Sequence, residues 1–234
     1  MSRYEAVLFD MGYTLVYFEP KHAVILGEVL RSLGVERSED EIRAALRAVW
    51  QEFFNEEATA DFPPTEEYDA WMEAELQRFL LAQLGVKADE ALRRAYAQRL
   101  EAWFRRPGVI RTYPEVREVL TTLREQGYRL GIISNWSWNL RDRVAQVGLT
   151  DFFELIWASA YAGCNKPHRC IFDQALAQMG LEAGRALYVG DSYRHDVVGA
   201  RRAGMDAVLL DRDGTATEAD CPVIGDLWGL FDLL

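Results

Sequence analysis

Five polar residues lie where a charged ligand could be bound and chemically altered. Asp10, Ser134 and Asp191 each come at the end of a short run of apolar residues, and Asp196 follows Asp191 by five positions. Lys166 comes just before a predicted helix, where its ammonium group could reach the same region. The carboxyl ends of parallel strands open onto the crevice in which open α/β sheets bind ligands. Carboxylates, a hydroxyl and an ammonium group would then meet in one crevice.

Each of these residues also has a purely structural interpretation. Asp10 and Ser134 could cap helices or form turns, Asp191 with Asp196 could cap a helix, and Lys166 could be a solvated surface charge. All of these structural roles would have to coincide at the ends of successive strands. The joint pattern therefore favours a functional site.

The runs that carry these residues predict the fold. Each is too short for a helix and is rich in Val, Ile and Leu; the five are Ala6 to Phe9, Leu130 to Ile133, Leu155 to Trp157, Ala186 to Val189 and Ala207 to Leu210. Segments with helical spacing of apolar residues separate the later runs. Alternating strands and helices predict an α/β fold, a doubly wound, mostly parallel, Rossmann-like sheet with helices on both faces.

Residues 17 to 108 follow a different pattern, because amphipathic helical segments dominate there. The four predicted helices are roughly His22 to Leu33, Glu39 to Phe54, Thr65 to Leu84 and Ala88 to Phe104. Gly34 and Gly85 are placed to end two of them. We therefore expect an α/β core domain of residues 1–16 and 109–234 and an inserted all-helical cap domain of residues 17–108. Inserted lids usually cover an active site.

Composition and charge exclude several classes of protein. The 234 residues are 50% hydrophobic, enough for a sizeable core, and the formal net charge of −11 opposes binding to nucleic acid or to an anionic membrane surface. No stretch predicts a signal peptide or a membrane span. An odd number of cysteines makes a disulfide framework improbable and favours a reducing cytoplasm. Ordinary packing is favoured over a soft-metal site at Cys164, His168 and Cys170.

Four motifs in order resemble those of the haloacid dehalogenase (HAD) superfamily, in the branch with an inserted helical cap. They are Asp10-Met11-Gly12-Tyr13-Thr14, Ile132-Ile133-Ser134-Asn135, Lys166-Pro167, and Gly190-Asp191-Ser192-Tyr193-Arg194-His195-Asp196 with the following Gly199-Ala200 and Ala203-Gly204. The resemblance covers nearly the whole chain, and the last motif is the most specific. It implies a hydrolase of small phosphorylated metabolites.

The resemblance also implies a role for each motif residue. Asp10 would be the nucleophile that forms an aspartyl-phosphate, while Ser134 and Lys166 would stabilise the transferring phosphoryl group. Mg²⁺ would be held by hard oxygen ligands from Asp10, the Gly12 backbone carbonyl, Asp191 and, directly or through water, Asp196. The substrate would contact Met11, Gly12, Asn135 and Trp136. Independently of the resemblance, Trp136 follows Ser134-Asn135 closely enough to line the crevice, which would favour a substrate with a flat or apolar portion.

Gly12 departs from the family pattern, in which phosphatases have a second Asp that protonates the leaving group. Losing a general acid commonly costs ~10² to 10⁴ in rate. Three interpretations remain open at this point. The protein could be a phosphatase for leaving groups that depart unassisted, a catalytically impaired binding or regulatory protein, or a 2-haloacid dehalogenase. The sequence leaves the oligomeric state and the physiological substrate open.

Overall fold

The computed structural model describes residues 3–55, 61–216 and 219–234. Its main element is a six-stranded, fully parallel sheet with the strand order β5-β4-β1-β6-β7-β8. These strands are β1 (Ala6–Phe9), β4 (Arg129–Ser134), β5 (Leu155–Ala158), β6 (Ala186–Gly190), β7 (Asp206–Leu210) and β8 (Val223–Ile224). A separate two-stranded sheet pairs β2 (Val16–Phe18) with β3 (Ile110–Thr112). The five predicted runs are confirmed as strands, each to within one residue at either end.

Strand β1 lies in the middle of the sheet and is buried along its whole length. Phe9, its last residue, is level with Ile132 of β4 on one side and with Val189 of β6 on the other. Because the three strands are parallel and in register, the residues that follow them emerge side by side. The sheet therefore brings three strand ends to one edge.

The α/β unit has its own hydrophobic core. Ala6 and Leu8 of β1 pack with Phe172 and Met179, on the face where alternation along the strand directs every second side chain. The helices of this unit are α5 (Val116–Glu125), α6 (Leu140–Gln146), α7 (Ser159–Ala162), α8 (Arg169–Met179) and α9 (Gly199–Arg202). Three short 3₁₀ segments cover Thr150–Phe152, Ala183–Arg185 and Leu227–Asp232, and a π-helical segment covers Tyr193–Val198.

The helical unit contains α1 (His22–Ser32), α2 (Glu39–Phe53), α3 (Glu66–Gln83) and α4 (Glu90–Phe104). These confirm the four predicted helices. Ser38, Thr65 and Asp89 cap the starts of α2, α3 and α4 by accepting backbone hydrogen bonds. Buried apolar side chains from the four helices, with Tyr96 among the largest, form a second core.

The chain divides into these two compact units at positions close to the predicted domain boundaries. The α/β unit comprises Met1–Tyr17, Thr59–Pro64 and Thr112–Leu234, and the helical unit comprises Phe18–Ala58 and Thr65–Arg111. The short middle segment joins the α/β unit through Phe62, whose backbone N–H donates to the Gly163 carbonyl (2.9 Å). That the helical unit serves as a cap stays a prediction. Among the described residues, no helix is both long and apolar enough to cross a membrane.

Candidate active site

The predicted nucleophile and its neighbours come together at the carboxyl edge of the sheet. Asp10 directly follows β1, Ser134 is the last residue of β4, and Asp191 directly follows β6. The Ser134 hydroxyl donates a hydrogen bond to Asp10 Oδ1 (2.8 Å). Both residues are buried, with relative exposures of 7% for Asp10 and 2% for Ser134 as whole residues. The sheet register alone explains this meeting, because the three strands are adjacent.

Lys166 is the centre of a buried network in the same place. Its ammonium nitrogen lies 2.6 Å from Asp10 Oδ1, 2.6 Å from Asp196 Oδ1 and 3.1 Å from the Tyr188 hydroxyl oxygen. Lys166 is only 3% exposed. An ammonium group this deeply buried must be paired, and here two carboxylates pair with it. The structure therefore brings together Asp10, Ser134, Lys166 and Asp196, which the sequence placed far apart.

The electrostatics of the network keep the lysine charged. Burial opposes the ammonium form, but the Asp10 and Asp196 carboxylates outweigh that effect and raise the pKa of Lys166. Burial raises the pKa of Asp10 from its ordinary value, while the Lys166 charge counteracts the rise. The site thus holds a fixed positive charge directly beside the carboxylate of Asp10.

Asn135 positions Lys166 through the main chain. Its side-chain amide donates to the Lys166 carbonyl (3.0 Å), and its side-chain oxygen accepts from the Lys166 N–H (2.7 Å). The sequence predicted a substrate contact for Asn135. Because both ends of the amide are engaged with the backbone of Lys166, the geometry favours a positioning role instead.

Tyr188 is a member of the network that the sequence interpretation missed. Its hydroxyl donates to the Ile133 carbonyl (2.6 Å) and lies 3.3 Å from Asp196 Oδ1. Burial and the nearby carboxylates raise the pKa of Tyr188 well above its usual value, so the hydroxyl remains a donor. A tyrosine in the middle of a buried strand must find a hydrogen-bond partner, and this was the signal available in the sequence.

Asp196 reaches the site because the chain turns tightly after β6. The π-helical segment Tyr193–Val198 carries Asp196 back over Gly190, and the Ser192 N–H donates to Asp196 Oδ2 (2.9 Å). A Cβ atom on Gly190 would lie 2.2 Å from Asp196 Cγ. Only glycine fits at this approach. Both carboxylate oxygens of Asp196 accept hydrogen bonds from the protein, so its clearest role is to position Lys166.

The site has the donors for a divalent cation. Oxygens of Asp10, Asp191 and Asp196 lie within 4.8 Å of one another. Withdrawal from water, and then repulsion from Asp10 and Asp196, raises the pKa of Asp191 to about 8. When ionised, the three carboxylates face one buried ammonium group and carry two negative charges in excess. Hard oxygen donors with this excess charge fit a cation such as Mg²⁺.

Of the predicted substrate contacts, Met11 is the most deeply buried. Its side chain is 0% exposed and belongs to the core, and its contact with substrate stays a prediction. Gly12 and the half-buried Trp136 lie beside each other. A Cβ atom placed on Gly12 would be 3.6 Å from Trp136 Cζ3.

The cysteines near Lys166 lie close together in the structure. The Cα atoms of Cys164 and Cys170 are 6.5 Å apart, within the usual span of a disulfide. The turn that carries Lys166 brings the two residues together. His168 Nδ1 accepts a hydrogen bond from the Cys170 N–H (3.3 Å).

Comparisons of sequence give relatives that are phosphatases by name. The chain is 34% identical over 116 residues to a glyceraldehyde 3-phosphate phosphatase from Methanothermobacter thermautotrophicus, covering 48% of this chain and 50% of the relative. The matched region thus spans about half the length of that protein. A phosphoserine phosphatase from Thermus thermophilus is 31% identical over 221 residues, which cover 88% of each chain.

Comparison of structures and of family models gives the same relationship. A HAD phosphatase from Thermococcus onnurineus superimposes with a TM-score of 0.70 and 26% identity, covering 98% of this chain and 97% of that one. The family model for haloacid dehalogenase-like hydrolases matches residues 4–204, which contain all four motifs. With the buried network of Asp10, Ser134, Lys166 and Asp196, these matches show that the chain belongs to the haloacid dehalogenase-like hydrolase family.

Proposed function

We propose that this protein is a Mg²⁺-dependent phosphatase that hydrolyses small phosphomonoesters through a phosphorylated Asp10. The observation that carries the proposal is the way Asp10 is held. Its Oδ1 accepts hydrogen bonds from Ser134 and Lys166, and in the part of the chain that the structure describes its Oδ2 accepts none. One oxygen is thus fixed and the other is left to react.

In the proposed reaction, Asp10 Oδ2 attacks the phosphorus atom and the bond from phosphorus to the ester oxygen breaks. The leaving group departs with the electron pair of that bond. Water then attacks the phosphorus of the aspartyl-phosphate, loses a proton, and releases inorganic phosphate. Asp10 is regenerated as a carboxylate, so two easier displacements replace one difficult hydrolysis.

Lys166 and Ser134 would stabilise the charge that develops on the phosphoryl oxygens. Lys166 is already oriented by Asp196, Tyr188 and Asn135, so little reorganisation accompanies the reaction. Asp10, Asp191 and the Gly12 carbonyl would hold Mg²⁺. Asp196 would contribute its charge, or a contact through water. When bound, the cation would reduce the repulsion between the Asp10 carboxylate and the incoming phosphate.

Gly12 limits which leaving groups the site can expel. It offers no side chain that could donate a proton. The proposed substrates are therefore esters whose leaving group is acidic enough to depart unassisted, such as a phenol, an anomeric hydroxyl or another phosphate. The names of the relatives support small phosphorylated substrates in general, and neither this leaving-group class nor any individual compound.

The cation site separates this proposal from its alternatives. Haloacid dehalogenation uses an Asp nucleophile on carbon and needs no metal, so it gives no role to the excess negative charge of Asp10, Asp191 and Asp196. A pure binding protein would have no need for a carboxylate with one oxygen fixed and the other unengaged. Phosphatase activity accounts for both features.

The test is hydrolysis of p-nitrophenyl phosphate by the purified protein, because its phenolate leaves without an acid. We expect turnover with Mg²⁺, little turnover in the presence of a chelator, and none above background in the Asp10→Asn variant. Asp142→Asn is the matched control, since Asp142 is an exposed aspartate of the same unit. It should retain full activity.

The outcomes divide the three interpretations. Turnover that is lost in Asp10→Asn and kept in Asp142→Asn supports the phosphatase. No turnover with Mg²⁺ present contradicts it. Halide release from a 2-haloacid, dependent on Asp10 and independent of Mg²⁺, would instead establish the dehalogenase.

A further inference from the structure

Asp10 and Ser134 are joined by a hydrogen bond, and the residues two positions after each of them also lie close together. Gly12 follows Asp10 by two positions, and Trp136 follows Ser134 by two. An ideal Cβ on Gly12 would lie 3.6 Å from Trp136 Cζ3, and among the described residues no other side chain or backbone atom outside its chain neighbours comes within 4 Å of that point. The indole therefore occupies the direction in which a side chain at position 12 would project.

Trp136 is held in this position at both ends. Its indole N–H donates to Asn139 Oδ1 (3.0 Å), and its backbone N–H donates to Ser159 Oγ (3.2 Å). The Ala160 N–H in turn donates to the Trp136 carbonyl (3.3 Å). A half-buried aromatic ring fixed in this way forms a rigid surface that loses little freedom when a ligand packs on it.

We propose that Trp136 is a specificity-determining residue, whose indole forms an apolar wall for the group attached to the phosphate. The ligands that it selects are phosphate monoesters carrying a flat, apolar or aromatic group directly at the ester oxygen. This inference rests on the proposed phosphatase function and names the substrate class within it.

The chemistry of position 12 points to the same class. Glycine and the indole present neither a carboxyl nor a hydroxyl group to the leaving group, and the only polar atom of the indole ring is already bonded to Asn139. An aliphatic, polyhydroxylated group would lose hydrogen bonds to water on this wall and gain none. An aromatic group would gain stacking and would also be the better unassisted leaving group.

The test measures binding, so that it does not depend on turnover. Phenylphosphonate and methylphosphonate, which cannot be hydrolysed, are titrated calorimetrically into the wild type, Trp136→Ala and Trp136→Phe with Mg²⁺ present. We expect the wild type to bind phenylphosphonate about five to ten times more tightly than methylphosphonate. In Trp136→Ala the preference should vanish through loss of phenylphosphonate affinity alone. Trp136→Phe should keep most of it.

Trp138→Ala is the matched control, because Trp138 is a half-buried tryptophan in the same loop whose ring packs on Tyr161. It should keep the wild-type preference. Trp136→Ala that retains the preference, or that weakens both ligands equally, overturns the proposal, as does a wild type with no preference.

The phosphatase itself is judged separately on p-nitrophenyl phosphate. Ring-dependent binding without turnover would refute the activity and leave the role of Trp136 supported. Turnover without ring-dependent binding would support the phosphatase activity and refute the role of Trp136.

Discussion

The two units of this protein differ in their buried charges: among the described residues, the almost fully buried ion pairs lie in the α/β unit, while the ion pairs of the helical unit are exposed or partly exposed. In the α/β unit, the Lys166, Asp10 and Asp196 side chains form ion pairs while only 3%, 10% and 2% exposed. In the helical unit, the Arg43–Glu39 pair lies on the surface of α2 with both side chains 46% exposed. His22 packs among aromatic rings in that unit. It stays neutral, because burial lowers its pKa to about 4.

The difference indicates that the α/β unit keeps charges buried at a cost in stability because they serve a chemical function. Burying an ion pair costs desolvation that its attraction often fails to recover, so such pairs are weak evidence for a structural role. Exposed pairs one helical turn apart cost and gain little. The buried charges of the α/β unit therefore indicate function, and the helical unit is an ordinary packed bundle.

Breaking the buried pair should have the largest effect. Lys166→Met preserves the length of the side chain but removes its charge, so kcat/KM should fall by about 10³-fold and the buried carboxylates should destabilise the fold by about 3 to 5 kcal/mol. Arg43→Met, which breaks the exposed pair, should change neither activity nor the denaturation midpoint measurably. Equal effects of the two substitutions would contradict the contrast between the units.

The tight turn at Gly190 should come next. Gly190→Ala would force Asp196 away from Lys166, because the new Cβ would lie 2.2 Å from Asp196 Cγ. We expect a loss of stability of about 1 to 3 kcal/mol together with a large loss of activity. Gly184→Ala is the control, since no atom outside its chain neighbours lies within 4 Å of the added methyl group. Urea unfolding and kinetics on both variants would show whether the site depends on this approach.

The neutral histidine predicts a pH dependence. Since the pKa of His22 falls from 6.5 to about 4 on folding, its neutral form is favoured in the native state. Between pH 6.5 and pH 4 the unfolded chain binds a proton that the native histidine does not. The free energy of unfolding therefore decreases as the pH falls through this interval, by at most about 3 kcal/mol, and is unaffected by His22 above pH 6.5. As the pH falls from 6.5 to 4, the His22→Phe variant should become more stable relative to the wild type. Parallel stability curves for the two proteins would show that His22 titrates normally.

The smallest effect is expected at a helix cap. Ser38 and Glu41 form a capping box at the start of α2. Ser38→Ala should lower the stability by about 1 kcal/mol without changing kcat/KM on p-nitrophenyl phosphate. A change in kcat/KM would indicate that the helical unit takes part in catalysis beyond its packing.

The part of the site that follows from strand order could be predicted from the sequence. Asp10, Ser134 and Asp191 end or follow adjacent parallel strands, and the apolar runs that locate those strands are short and clear. The helices of the helical unit could be predicted equally well, because their apolar residues recur at helical spacing and Gly34 and Gly85 lie just past the ends of α1 and α3.

The remainder depends on the paths of loops and on side-chain packing, which no spacing rule encodes. The turn over Gly190 decides where Asp196 lies, and the turn before α8 decides both the place of Lys166 and the closeness of Cys164 to Cys170. Tyr188 joins the network because its strand directs the hydroxyl towards Lys166. The contact of Trp136 with position 12 likewise needs the folded chain.

The most direct test of the central claim is chemical trapping of the intermediate on Asp10. The enzyme would be quenched in acid while turning over p-nitrophenyl phosphate, reduced with borohydride, and mapped by peptide mass spectrometry. An aspartyl-phosphate at Asp10 would be reduced to homoserine at that position, in a substrate-dependent manner, and this is the predicted result. Turnover that leaves Asp10 unmodified, or that modifies another aspartate, would contradict it.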